Sequence, residues 1–219
     1  MNPSLALTSM LNDPVLARYL EPSLSPPAPF FGSGPVKLVI LGQDPTVKSR
    51  KGRLEVQTVL NLDRPGSLRR YLKQLCEGLG LDINENVFAT NYINVFFQDP
   101  PASIKELDLL GLAAEYWRPV LDGQLEPFRE VPVLALGQPL LRQLVLPGAS
   151  RAVRDYWGYQ PGWKHRTQGA FTHLDPTVNR LKRPVFPFPH QPSSTKEFYA
   201  SRRASYLAYM QETVFPPPA

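Results

Sequence analysis

The sequence predicts an α/β fold, a three-layer α/β/α sandwich around a central four-stranded, mainly parallel sheet. Short apolar runs recur four times, at Val36–Leu41, Val87–Asn91, Val131–Gly137 and Val185–Pro189, each reaching a glycine or polar residue. Between them apolar residues return every three or four positions, the period of helices lying on a sheet. Strand and helix therefore alternate, which gives parallel strands joined by crossovers with helices on both faces. The 219 residues and 42% hydrophobic content suit a single core of substantial volume.

In order along the chain, residues 3–22 read as two short helical pieces. Asp13 serves as N-cap of the second and Pro14 takes its first helical position. Residues 22–35 are rich in Pro and Gly and read as an extended connector, with Phe30 and Phe31 packing on the domain it leads into. Residues 1–35 are thus expected to form an N-terminal arm, and residues 36–215 the α/β domain.

Val36–Leu41 has five apolar residues in six, three of them β-branched, as in a strand buried on both faces. Gly42 lets the backbone turn closely, and Pro45 keeps Asp44 out of a helix. The Asp44 carboxylate is thereby delivered to the C-terminal end of a core strand, where open α/β sheets hold ligands. The plainer reading is that Asp44 caps a turn. The following loop carries Lys48, Arg50, Lys51 and Arg53. It is either a solvated basic loop or a clamp on phosphates, which position a nucleic acid without reading its sequence.

Ser67 is predicted to cap a helix through Leu68, Leu72, Leu75 and Leu79, ended by Gly78 and Gly80, with Cys76 as a packed thiol. A second strand ends at Asn91. Residues 103–121 form an amphipathic helix whose Ile104, Leu107, Leu110, Ala114, Trp117 and Leu121 share a face. The third strand leads into a helix through Leu140, Leu141 and Leu144. Residues 150–183 have little periodicity but many basic and aromatic side chains, among them Arg151, Arg154, Tyr156, Trp157, Tyr159, Trp163, Lys164, His165, Arg166, Arg180, Lys182 and Arg183. These are either packed surface structure or contacts to a polyanion. After the last strand comes His190, then a helix over about Thr195–Val214 with Tyr199, Tyr206, Met210 and Val214 inward and Arg203 breaking the stripe. The tail P-P-P-A reads as disordered, and there is no internal repeat. Asp44, Asn91, Gly137 and His190 all follow strands that run the same way, so they should gather along one edge of the sheet.

Composition narrows the function classes. A net charge of +5 and a pI near 9.4 favour a polyanionic partner. With Cys76 as the only cysteine, an intramolecular disulfide, a Cys-rich zinc site and a four-cysteine iron–sulfur cluster are excluded. His165, His173 and His190 are the only histidines, which argues against a histidine-rich metal site. No metal and no diffusible cofactor are expected. The N-terminus lacks a basic region followed by an apolar run, and nothing is long and apolar enough to span a membrane. The expectation is a soluble, intracellular (cytoplasmic) monomer.

L-G-Q-D-P at a strand end, T-N after the next strand, V-L-A-L-G-Q-P and P-H-Q-P-S-S occur in that order. Together they resemble the uracil-DNA glycosylase superfamily over about residues 36–210. The resemblance implies that Asp44 orients or activates the attacking water. Gln43 would offer its backbone N–H to the base carbonyl, beside Thr46, and Asn91 would read the Watson–Crick edge of uracil through its amide. His190 would donate to uracil O2 as the base departs with negative charge. Pro192 and Ser193 would hold the backbone beside the flipped nucleotide, with Ser194, Lys196 and the basic loop on neighbouring phosphates. The partner implied is DNA, single- or double-stranded, with the target base turned out of the stack.

Departures from the family pattern fall around the base. Thr46 stands where the best-known members have a Tyr that blocks the thymine methyl. Only Val59 or Leu60 lies near the register of their stacking Phe. Gln191 separates His190 from Pro192, and no Leu follows to act as a wedge, a part left to Lys196, Phe198 or Tyr199. The sequence therefore leads first to a monofunctional DNA glycosylase acting on uracil or a related damaged base. The alternatives are a non-catalytic nucleic-acid-binding protein of the same fold and a hydrolase of free nucleosides or nucleotides.

Overall fold

A computed structural model describes residues 2–160 and 169–215. Trp163, Lys164, His165 and Arg166 lie outside these residues, as does the terminal P-P-P-A. The sheet contains β1 (Phe30–Phe31), β2 (Leu38–Gly42), β3 (Val87–Asn91), β4 (Val133–Leu136) and β5 (Val185–Phe188). Their order is β1-β3-β2-β4-β5. The four long strands are parallel and every residue in them is buried, as their apolar runs predict.

The expectation of a four-stranded sheet is corrected by β1, a fifth strand antiparallel to β3 with Phe30 opposite Ala89 and Phe31 opposite Phe88. A Pro-rich connector shows no alternation by which to read a strand. Its extended backbone simply meets the open edge of β3, where Gly32 N donates to Val87 O at 2.8 Å and the Phe31 ring lies 4.7 Å from Phe88. The approach is tight: a Cβ on Gly32 would come within 2.5 Å of the Glu85 backbone.

The helices are α1 (Pro3–Asn12), α2 (Arg50–Leu54), α3 (Ser67–Gly78), α4 (Ile83–Asn86), α5 (Leu109–Leu125), α6 (Gln138–Leu144), α7 (Val153–Tyr156) and α8 (Glu197–Val214). The crossover through α3 moves from β2 to β3, whereas those through α5 and α6 move the other way. Right-handed connections then put α3 on one face and α5 with α6 on the other. α8 packs on α3, and α1 packs on α5. The N-terminal arm therefore shares the core: Ala6, Met10, Leu16 and Leu20 have no exposed surface.

Several element ends shift for local reasons. Gly66, not Ser67, is the N-cap of α3. The helix expected from residue 103 begins at Leu109, because Pro100–Pro101 start a separate single turn and Asp108 then accepts from Gly111 N as the real N-cap. The second N-terminal piece is one 3₁₀ turn, Leu16–Arg18, held by Asp13 Oδ1 accepting from Val15 N and Leu16 N. A similar turn, Gln191–Thr195, delays α8 to Glu197. Cys76 is fully buried and its thiol pKa is pushed up to about 12 by burial, as for a packed thiol. No helix among the described residues is long and apolar enough to cross a membrane.

Candidate active site

Parallel strands bring their carboxyl ends to one edge, in the lateral order Asn91, Gly42–Asp44, Gly137, His190. Register sharpens this. Gly42 pairs with Asn91, Leu41 with Ala135, and Leu136 with Phe188. Adjacent strands are about 4.8 Å apart, so the β2 and β5 ends flank a gap of roughly 10 Å across β4. Gly137, at φ +92°, turns the chain there, and the position of its missing Cβ lies 3.7 Å from His190 Cβ.

Asp44 is held from two sides. Gln43 Nε2 donates to Oδ2 at 2.6 Å and Thr46 N to Oδ1 at 2.8 Å. Burial raises the pKa of its carboxyl, opposed by the Thr46 hydroxyl, the Thr46 amide and Gln43. Thr46 is thus a partner of the carboxylate, and its Oγ1 also accepts from Phe97 N at 2.9 Å. The hydroxyl ties the Asp44 loop to the segment following β3.

Asn91 is fully buried at the end of β3. Its Nδ2 donates to Asn94 Oδ1 at 3.0 Å, while Oδ1 is buried without a donor. That oxygen lies over Gly42: a Cβ there would sit 2.3 Å from it and 2.8 Å from Leu60 Cδ2. Glycine at 42 is required by this close approach. Of Val59 and Leu60, the two residues offered for a stacking position, Val59 is sealed in the core and Leu60 packs against Gly42. Leu60 and Asn61 both have positive φ, 57° and 52°, a backbone state that costs a leucine on the order of 1 kcal/mol or more.

His190 is exposed, and partial desolvation lowers its pKa from 6.5. Its carbonyl accepts from Ser193 N at 2.8 Å and Ser194 N at 3.2 Å, and Tyr71 Oη donates to Pro189 O at 3.3 Å. These bonds absorb the extra residue Gln191 into a tight turn that leaves Pro192 exposed and Ser193 partly so. Ser194 is nearly buried, with Oγ donating to Gln191 O at 2.6 Å. Lys196 is exposed, whereas the other wedge candidates are engaged: Phe198 packs edge-on to Tyr159 and Tyr199 to Trp157.

The basic loop divides. Lys48, Arg50 and Lys51 are exposed, with Arg50 Nε 3.7 Å from Glu21. Arg53 is the correction: it is 6% exposed, and its guanidinium donates to Val47 O and Lys48 O. It shapes the loop from inside and cannot clamp a phosphate. The 150–183 stretch divides likewise. Trp157 and Tyr156 are core, with Trp157 Nε1 donating to Pro187 O at 2.8 Å. Arg183 is buried and donates to Phe128 O and Leu125 O at the end of α5. Arg151, Arg180 and Lys182 remain exposed.

Asn94 and Leu60 are the neighbours whose contacts single residues do not announce: both act through loops that meet only in the fold. No cluster of three His, Cys, Asp or Glu suited to a metal ion occurs among the described residues. Compared with known proteins, the chain matches no family model and no curated protein.

Proposed function

We propose that this chain is a monofunctional DNA glycosylase, hydrolysing the N-glycosidic bond of uracil or a related damaged base. The observation that carries the reading is a half-buried carboxylate, Asp44, two residues past the Gly42 that pairs with Asn91, whose buried Oδ1 has no donor, with an exposed imidazole, His190, across the same sheet edge. Breaking this bond leaves an oxocarbenium-like sugar and an anionic base, so catalysis depends on charge placed in advance. Asp44 supports the cationic sugar and aligns the water. Its raised pKa makes it a stronger base than an exposed aspartate. His190, with its pKa lowered, is neutral at neutral pH and gives an N–H to the departing base. Lys48, Arg50, Lys51, Lys196, Pro192 and Ser193 bear on the flanking backbone of a flipped-out nucleotide.

The direct test is base release from end-labelled oligonucleotides carrying one uracil opposite G, opposite A or unpaired, with alkali cleaving the abasic site. Cleavage by the wild type and not by Asp44→Asn supports the reading. One observation favours a non-catalytic binding module of the same fold: the aliphatic side chain of Leu60 packs against Gly42 at the strand end. That alternative predicts salt-sensitive DNA binding that Asp44→Asn leaves unchanged.

A further inference from the structure

Two clefts adjoin beside α5 and α6, and neither Asp44 nor Asn91 nor His190 lines them. The larger, about 670 Å³, lies between the loop leading into α5 and the α6 helix with the turn that follows it. The smaller, about 510 Å³, shares Leu146 and Arg180 with it and continues to Lys182. Backbone bonds join the two: Leu146 N donates to Val178 O at 3.0 Å and Arg180 N to Leu144 O at 2.8 Å. Prolines at 101, 139 and 147 stiffen the walls of the larger cleft.

The lining has two characters. Ile104, Leu107 and Leu146 are half-buried and form an aliphatic floor. Lys105, Arg142 and Arg180 are exposed, and none of the three is in an ion pair among the described residues. Asp108 is the one carboxylate among the described lining residues, and it is occupied. Its Oδ1 accepts from Gly111 N at 3.0 Å, and Gln143 Nε2 donates to both oxygens at 2.8 and 3.0 Å. Long basic side chains lay their stems along apolar surface and keep their charges in water. The groove is therefore aliphatic beneath and cationic at its rim, with nothing of its own to neutralise the rim.

We propose that this groove docks an acidic segment of a partner protein, one in which Asp or Glu side chains flank Leu, Ile or Val. Carboxylates meet Lys105, Arg142 and Arg180, which steer and orient the segment, while its aliphatic side chains cover the floor. A nucleic acid uses only half of these features. Its phosphates would meet the cations, but no aromatic ring lines either cleft among the described residues, so a base has nothing to stack on. The proposal is independent of the glycosylase reading, because the groove shares no residue with that site.

The experiment selects a phage-displayed library of random short peptides on the wild-type chain, then measures the synthesised, fluorescein-labelled consensus by anisotropy. Selection enriches sequences that combine Asp or Glu with Leu, Ile or Val. The consensus binds Arg142→Glu and Arg180→Glu on the order of tenfold more weakly than wild type, the scale of reversing one surface charge near a carboxylate. Ile104→Ala, which shortens the floor and leaves the charges, weakens it several-fold. Asp44→Asn binds it as the wild type does. Thermal melts confirm that each variant is folded, and Lys105→Glu replaces either charge variant that is not. Enrichment of no acidic sequence overturns the proposal, as does a consensus that binds the charge variants as tightly as wild type. Tighter binding of single-stranded oligothymidylate than of the consensus, lost in the same variants, overturns it in favour of a nucleic acid.

Discussion

Asp44 carries opposite consequences for activity and stability. Its folded pKa lies above the unfolded value of 3.8, so the neutral carboxyl is the form the folded state prefers. Stability from this group is full below pH 3.8 and lost as pH rises through the folded pKa. Asp44→Asn is therefore expected to raise the melting temperature at pH 7, with the gain shrinking toward pH 4 in thermal melts. The same variant lowers base release by about 10²-fold or more, the scale of removing a placed charge partner from a reacting centre. The acid limb of the wild-type pH–rate profile falls above the ordinary aspartate range, because Asp44 must be ionised to work. His190 has the reverse sign, its pKa being lowered by desolvation. It stays neutral through neutral pH, so His190→Ala slows release at pH 7–8 without changing the acid limb. Gly42→Ala drives a methyl group into Asn91 Oδ1 and Leu60, and should cost about 1–3 kcal/mol in denaturant melts as well as activity.

At the scale of elements, the loop between β2 and α3 shows why charge counting misleads. Lys48, Arg50, Lys51 and Arg53 look alike in sequence, yet Arg53 alone turns inward to bind the Val47 and Lys48 carbonyls. The reason is position: Arg53 lies in the last turn of the short helix α2, which Ser49 caps, within reach of the backbone it holds, while the others are exposed. Lys51→Ala is expected to weaken DNA binding uniformly across sequences and to reduce the slope of log K against log[salt] by about 1. Arg53→Ala should instead lower the melting temperature, since buried carbonyls lose their donor at about 1–3 kcal/mol. Chemical denaturation and salt titration of both variants separate the two roles.

For the whole molecule, the four parallel strands and the crossovers between them are legible because burial on both faces leaves continuous apolar runs at Leu38–Gly42, Val87–Asn91, Val133–Leu136 and Val185–Phe188. Their carboxyl ends then have to share an edge, which is how Asp44, Asn91 and His190 can be picked out beforehand. The N-terminal arm is different. Met10 carries no exposed surface because α1 lies on α5, and nothing local to residues 3–12 reports that. Met10→Ala should cost about 2–5 kcal/mol, as for any large side chain removed from a core. A cost near zero in denaturant unfolding would detach the arm from the domain.

Sequence by itself determined the layer architecture, the direction of the strands and the edge on which the chemistry-bearing side chains fall, because these follow from periodicity and chain direction. Tertiary structure alone decided the fifth strand, Phe30–Phe31, since an edge strand forms only where another edge is waiting. It also decided that Arg53, Arg183 and Trp157 serve the scaffold, and that Leu60 rather than Val59 stands over Gly42. The hydrogen bonds from Asn91 to Asn94 and from Asn94 to Pro27 O belong with these. Pro27 and Asn94 are 67 residues apart in the chain, and a bond across such a distance exists only once the backbone has brought the groups together.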